Sequence, residues 1–122
     1  MSEKMYTKDH EWIEVIENGL VYIGISYYAV TQLGDIVFIN PGEEGDTLVL
    51  NESFADVESV KAVSDILSPI DGEIVEINEE LLDAPEKLNE NPEETWIVKA
   101  SYVELNEELM SSEDYSAYLE SL

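Results

Sequence analysis

Phe54-Ala55-Asp56-Val57-Glu58-Ser59-Val60-Lys61-Ala62-Val63-Ser64-Asp65-Ile66-Leu67-Ser68-Pro69-Ile70-Asp71-Gly72-Glu73-Ile74-Val75-Glu76-Ile77 reads as a hairpin followed by a further strand. Phe54 to Ser59 and Val63 to Leu67 are rich in apolar and β-branched residues and flank Lys61. Ser68-Pro69-Ile70-Asp71-Gly72 supplies turn chemistry, and a new strand runs from Gly72 to Asn78. Lys61 is conspicuous because the chain has 5 Lys+Arg, all lysine, against 29 Asp+Glu.

Outward from this stretch, Gly34-Asp35-Ile36-Val37-Phe38-Ile39-Asn40 echoes Gly72-Glu73-Ile74-Val75-Glu76-Ile77-Asn78 at an offset of 38 positions. The echo predicts a body of two similar halves, a sandwich or flattened barrel of short strands. Ile13 to Ile16 alternates as a strand, Asn18-Gly19 is a strong hairpin signal, and Leu20 to Ile25 is the return. Ser26 is placed to cap a short helix, Tyr27 to Leu33, ended by Gly34. Pro41-Gly42 stops the next strand, and Thr47 to Leu50 is short and apolar. Glu79 to Leu82 reads as a helical turn, Ala84 to Glu94 as an acidic loop, and Trp96 to Ala100 as the last strand. Leu105, Leu109, Tyr115, Tyr118, Leu119 and Leu122 recur at helical spacings, predicting two short helices with Ser111 or Ser112 capping between them. The expectation is one mainly β domain over 1–122, with a body at about 5–100 and a helical tail at about 102–122 across one end.

A chain of 122 residues buries roughly two-thirds of its unfolded surface, enough for a core without staples. It has no cysteine and so no disulfide or thiolate chemistry. The net charge of −24 excludes ordinary nucleic-acid binding and adhesion to anionic membranes; it favours solubility and steering towards basic partner surfaces. No apolar run reaches the roughly 18 residues of a membrane span. Met1-Ser2-Glu3-Lys4-Met5 lacks the features of a secretory or transit segment, so the expected location is cytoplasmic.

Material for a self-sufficient catalyst is thin. His10 is the only histidine, no arginine is present to fix a substrate, and no nucleophile elbow or phosphate-binding loop occurs. No metal site is expected. Lys61 then has two readings. One is a solvated surface lysine pairing loosely with Glu58 and Asp65, which spacing alone favours. The other is a modification site, where acylation removes the charge and adds a flexible arm. Short side chains at Ser59 and Ala62 leave room for it at the tip.

Glu58-Ser59-Val60-Lys61-Ala62, with Ser64-Asp65 and Ser68-Pro69-Ile70-Asp71-Gly72-Glu73, closely resembles the lipoyl-attachment hairpin of the glycine cleavage system H protein family. Tyr6-Thr7-Lys8-Asp9-His10-Glu11-Trp12, Gly24-Ile25-Ser26 with Tyr28-Ala29, and Leu33 to Phe38 resemble further motifs of that family, as does Leu109 to Leu119 its closing helix. The similarity spans roughly positions 5 to 120. It implies a lipoyl-domain-like barrel-sandwich hybrid of two small antiparallel sheets, and a non-catalytic carrier with lipoate covalently on Lys61. The attachment hairpin would comprise Glu58, Ser59, Val60, Ala62 and Asp65. Glu11, Ile25 and Asp65 would line a cleft for the loaded arm, where a carboxylate suits a cationic amine; His10 and Trp12 would be structural. The implied role is to move an aminomethyl group from glycine decarboxylase to aminomethyltransferase, and the dithiol to dihydrolipoamide dehydrogenase. A lipoyl ligase or transferase would load the arm, and the carrier would be a monomer.

The pattern departs from the family at Asn91-Pro92-Glu93-Glu94-Thr95-Trp96, which lacks the usual Tyr and Gly, at Ser26 to Val30, and at Pro41-Gly42. These departures motivate an alternative, an H-like protein that donates lipoate to other complexes or serves another redox pathway. A biotin carrier is disfavoured by Val60 and Ala62, where that family has methionines. An acidic interaction protein without cofactor is the remaining alternative.

Overall fold

The computed structural model describes residues 4–122. Residues 1–3, on which part of the reading of the chain's start falls, lie outside the described residues. In order along the chain are β1 (Lys4–Tyr6), β2 (Glu11–Glu17), β3 (Leu20–Ile25), α1 (Tyr27–Leu33), β4 (Ile36–Asn40), β5 (Thr47–Leu48), β6 (Ser53–Ser59), β7 (Val63–Leu67), β8 (Gly72–Ile77), α2 (Glu79–Asp83), α3 (Lys87–Glu90), β9 (Val98–Tyr102) and α4 (Ser112–Glu120). The strands form a six-stranded sheet, β1-β2-β3-β9-β8-β5, and a three-stranded sheet, β4-β6-β7. Every pairing is antiparallel. The mainly β expectation is met, with sheets of unequal size.

Local chemistry accounts for several elements. Gly19 takes φ +88° in the turn between β2 and β3, a region open chiefly to glycine. Ser26 caps α1, its hydroxyl accepting from the Ala29 N–H at 3.2 Å. Inward-facing Ile13, Val21, Ile23, Val57, Ile66, Ile70, Ile74 and Val98 fill one core. The sequence echo is structural: β4 and β8 belong to different sheets, and each breaks register at the same place, between Ile36 and Phe38 and between Ile74 and Glu76. Such a bulge sets two residues against one on the neighbouring strand, so successive side chains face the same way. Val37 and Phe38 are accordingly both exposed between buried Ile36 and Ile39.

Other expectations are corrected. The acidic loop contains a helical turn, α3, because Leu88 is drawn fully into the core and overrides a weak local propensity. The tail has one helix: Leu105 and Leu109 precede it in irregular chain, because Met110 pairs with Tyr6 through two 2.8 Å backbone bonds along the edge of β1. β1 itself, three residues long, gives no periodic signal. The last strand begins at Val98, two residues later than expected, while Asn78 Nδ2 donates to the Trp96 carbonyl at 2.7 Å.

Candidate functional site

The connection from β6 to β7 is knotted by Ser59. Its hydroxyl accepts from the backbone N–H of both Lys61 and Ala62 at 3.2 Å and lies 3.2 Å from the Ala62 carbonyl, to which the Ser59 N–H also donates at 2.8 Å. Ser59 is buried, and its hydroxyl sets the turn. The Val60 N–H donates to the Asp35 carbonyl at 3.0 Å, seating the tip on the chain between α1 and β4.

That seat is held from α3. Asn89 donates through Nδ2 to the Gly34 carbonyl at 2.9 Å and accepts from the Ile36 N–H at 2.8 Å. Gly34 has φ +82°, and a Cβ there would lie 3.3 Å from the Lys61 Cε. The lysine stem thus crosses the space where a larger residue would project. Asn89→Ala leaves both backbone groups unpartnered and is expected to cost about 2 kcal/mol, read as a lower urea midpoint with unchanged slope.

Lys61 is exposed at this tip, and among the described residues it forms no ion pair. The expected loose pairing with Glu58 and Asp65 is absent; across the hairpin Glu58 faces Val63, and Asp65 faces Asp56. Three of the other four lysines are engaged, while Lys8 is exposed like Lys61 and also lacks an ion pair among the described residues. Lys4 sits 5.0 Å over the Trp12 ring, Lys87 meets Glu80 at 3.5 Å, and Lys99 meets Glu76 at 3.3 Å.

Glu11, Ile25 and Asp65, from β2, β3 and β7, line one cleft of about 160 Å³. Ile25, Ala29, Leu33, Val57 and Ile66 make its apolar wall, and Asp9, Glu11, Asp65 and His10 bring polar atoms to it. Leu33 precedes Gly34, beside which the Lys61 stem lies, so the cleft adjoins the path of that side chain. A larger open hollow of about 740 Å³, lined by Glu76, Lys87 and Trp96 among others, contains none of the expected site residues.

Glu11 is 4% exposed, which rules out a plain surface acid. Burial pushes its carboxyl up to about 7, outweighing a 2.6 Å hydrogen bond donated by the Thr7 hydroxyl and a backbone N–H bond from Leu67. Between the ordinary carboxyl value of 4.5 and about 7, the folded state holds a proton that the unfolded chain has released. Stability attributable to Glu11 therefore falls as pH rises through that window. Glu11→Gln, which keeps an acceptor oxygen, should remove this fall, a difference on the order of 3 kcal/mol above it, read by urea unfolding at each end.

Trp12 and His10 tie the cleft's strands to a second core cluster. Trp12 Nε1 donates to the Ile25 carbonyl at 3.0 Å and to the Pro92 carbonyl at 3.1 Å. His10 adopts φ +72°, and its Nδ1 shares a 2.8 Å hydrogen bond with the Tyr115 hydroxyl of α4. Burial lowers its pKa, with Asp9 opposing. His10 also lines the cleft, which its expected structural role did not include. The departing segment is anchored here too: Glu93 accepts from the Tyr6 hydroxyl at 2.5 Å and from the Tyr27 N–H at 2.7 Å. Burial, then this contact with Glu93, drives the Tyr6 pKa well above the ordinary phenol value. Sequence reasoning missed Gly34, Asp35 and Asn89; the positive-φ glycine ending α1 was the one local signal.

Residues 4–122 match the family model described as Glycine cleavage H-protein. The chain is 49% identical over 115 residues to a glycine cleavage system H protein of Lachnoclostridium phytofermentans, covering 94% of this chain and 91% of the relative. It is 46% identical over 122 residues to one from Clostridioides difficile, covering 98% of each. The fold superposes on a crystal structure of a glycine cleavage system H protein from Mycobacterium marinum with TM-score 0.90, at 35% identity and covering 97% of each chain. With matches of this extent in both sequence and fold, the chain belongs to the glycine cleavage H-protein family.

Proposed function

We propose that Lys61 is the lipoate attachment point and that the cleft of Glu11, Ile25 and Asp65 receives the far end of the arm. The chain's role is that of the lipoyl carrier in glycine cleavage. The observation that carries the Lys61 assignment is its place: an exposed side chain without an ion pair among the described residues, on a hairpin turn set by Ser59 and seated on the Gly34 segment that Asn89 holds. The attachment hairpin of Glu58, Ser59, Val60, Ala62 and Asp65 belongs to the same proposal.

The residues present fit the group. Gly34 leaves open the path along which the Lys61 stem lies, and the adjoining cleft pairs apolar walls with carboxyl groups, the combination needed by an apolar arm ending in a cation. Held on Lys61, lipoate would supply a redox-active disulfide able to accept electrons and carry a one-carbon amine. The protein's own contribution is placement. Ser59 orients the turn, and Ile25, Leu33 and Ile66 exclude water. Burial favours the protonated form of the Glu11 carboxyl, and a cationic amine beside it would favour the ionised form. No residue of the chain is asked to break a bond, consistent with a carrier rather than an enzyme.

The partners in this reading are glycine decarboxylase, aminomethyltransferase, dihydrolipoamide dehydrogenase and a lipoyl ligase or transferase. The proposal extends to one carrier domain over 1–122, acting as a monomer in the cytoplasm. Its support is a main core shared by strands of both sheets and a charge suited to basic docking surfaces; no helix among the described residues is long and apolar enough to cross a membrane. The comparisons do not favour the lipoate-donor alternative. Lipoylated protein given to an active glycine decarboxylase should support exchange of the glycine carboxyl with bicarbonate. No exchange would defeat the shuttle role and return weight to the donor.

A further inference from the structure

The three-stranded sheet has an outward face that the core does not use. Phe38 on β4 stands opposite Glu58 on β6, and Glu58 opposite Val63 on β7. Directly opposed residues in antiparallel strands share a face, so these form one row across the sheet. The β4 bulge turns Val37 to the same side. Val37 is 52% exposed, Phe38 53%, Val63 62%, and Val60 at the tip 66%. Four large apolar side chains are thus exposed on this sheet and on the turn that carries Lys61.

The internal echo provides a comparison within the chain. β8 carries the same bulge, and its counterpart of Phe38 is Glu76, paired with Lys99 at 3.3 Å. A charged, partnered residue serves that position well, so the bulge does not require an aromatic. One row further from the tip, Asp56 stands directly opposite Asp65, a like-charge arrangement that is unfavourable unless a cation covers it. Among the described residues no lysine does so.

We propose that this face, Val37, Phe38, Val60 and Val63 bordered by Glu58, Asp56 and Asp65, is the docking surface for the enzyme that acylates Lys61, and that the enzyme meets it with an apolar patch edged by lysine or arginine. The inference rests on Lys61 being the attachment point. Charge complementarity fixes the edge chemistry. The choice of partner follows from the reaction. In acylation the lysine amine loses a proton to a base, its nitrogen bonds the acyl carbon of an adenylate or thioester donor, and the donor's C–O or C–S bond breaks. The enzyme's reacting groups must therefore reach Nζ itself, against this face. Enzymes acting on the distal disulfide have no such need.

The test is a rate-versus-concentration series for transfer of lipoate from ATP and lipoic acid by a lipoate ligase, followed by intact mass. The variants are Val37→Ser, Phe38→Ser, the double variant, Phe38→Leu, and Val103→Ser as an exposed apolar control elsewhere. Circular dichroism confirms folding of each. The double variant should raise KM for the carrier about tenfold with kcat little changed, while Phe38→Leu and Val103→Ser behave as the parent. Equal KM for parent and double variant overturns the docking surface and leaves the Lys61 assignment standing. A fall in kcat alone also overturns it. Failure of the parent to accept lipoate overturns the Lys61 assignment and this inference with it.

Discussion

Lys61→Arg yields a folded protein that supports no glycine-dependent exchange. The hairpin uses only the backbone of residue 61, whose N–H bonds the Ser59 hydroxyl, and the side chain is exposed. Arginine keeps the charge and an aliphatic stem to lie across Gly34, so stability should change by less than about 0.5 kcal/mol. Its guanidinium does not deprotonate at working pH and is no nucleophile for an acyl donor. Loss of function would thus occur without loss of fold, which a merely structural lysine cannot produce. Lys99→Arg is the companion: it keeps a cation beside Glu76 and should retain full exchange. Parallel thermal melts and exchange assays separate the two outcomes.

Gly72→Ala should unfold the protein well below the parent's melting temperature. A Cβ at this position falls onto the Ser101 carbonyl oxygen, deep inside van der Waals contact, with Ile70 Cδ1 at 3.3 Å behind it. The obstructing atom is backbone, and it cannot swing aside as a side-chain end would. Gly72 also sits where β8 is paired on both sides, opposite Leu48 of β5 and Tyr102 of β9. Relief requires these strands to move apart, at a cost above about 3 kcal/mol. For a domain of this size that lowers Tm by more than about 10 °C. Gly45→Ala is the contrast. Gly45 has φ +91° with nothing within 4 Å of a Cβ, so only the backbone conformation resists, at about 1 kcal/mol. A Gly72→Ala protein melting beside the parent would mean that the β8–β9 approach is looser than described.

Gly72 also shows what the sequence disclosed and what it withheld. Its place at the start of a strand after Pro69 was legible, because turn residues act locally. So were the Asn18-Gly19 hairpin and the Ser26 cap. The close approach of Ser101 was not, since it comes from a strand far along the chain. The same limit hid Asn89, which reaches back 55 residues to Gly34 from a segment read as loop. The bulges were hidden differently. Ile36-Val37-Phe38-Ile39 looks like a continuous buried strand, and only the register against β6 reveals two residues facing outward. At the site, spacing alone left Lys61 an ordinary surface lysine; the surrounding motifs gave it a role. Glu11, Ile25 and Asp65 lie on three strands and were associated through family resemblance. The structure brings them to one cleft and shows that Glu11 is buried, which no local pattern indicates.

The central claim is that the tip of the β6–β7 hairpin carries the cofactor on Lys61. Intact mass after incubation with a lipoate ligase, lipoic acid and ATP, followed by peptide mapping, tests it directly. The account predicts a gain of one lipoyl group per chain, located on Lys61 and absent in Lys61→Ala. No gain in the parent under an active ligase, or a gain that maps to another lysine, would contradict it.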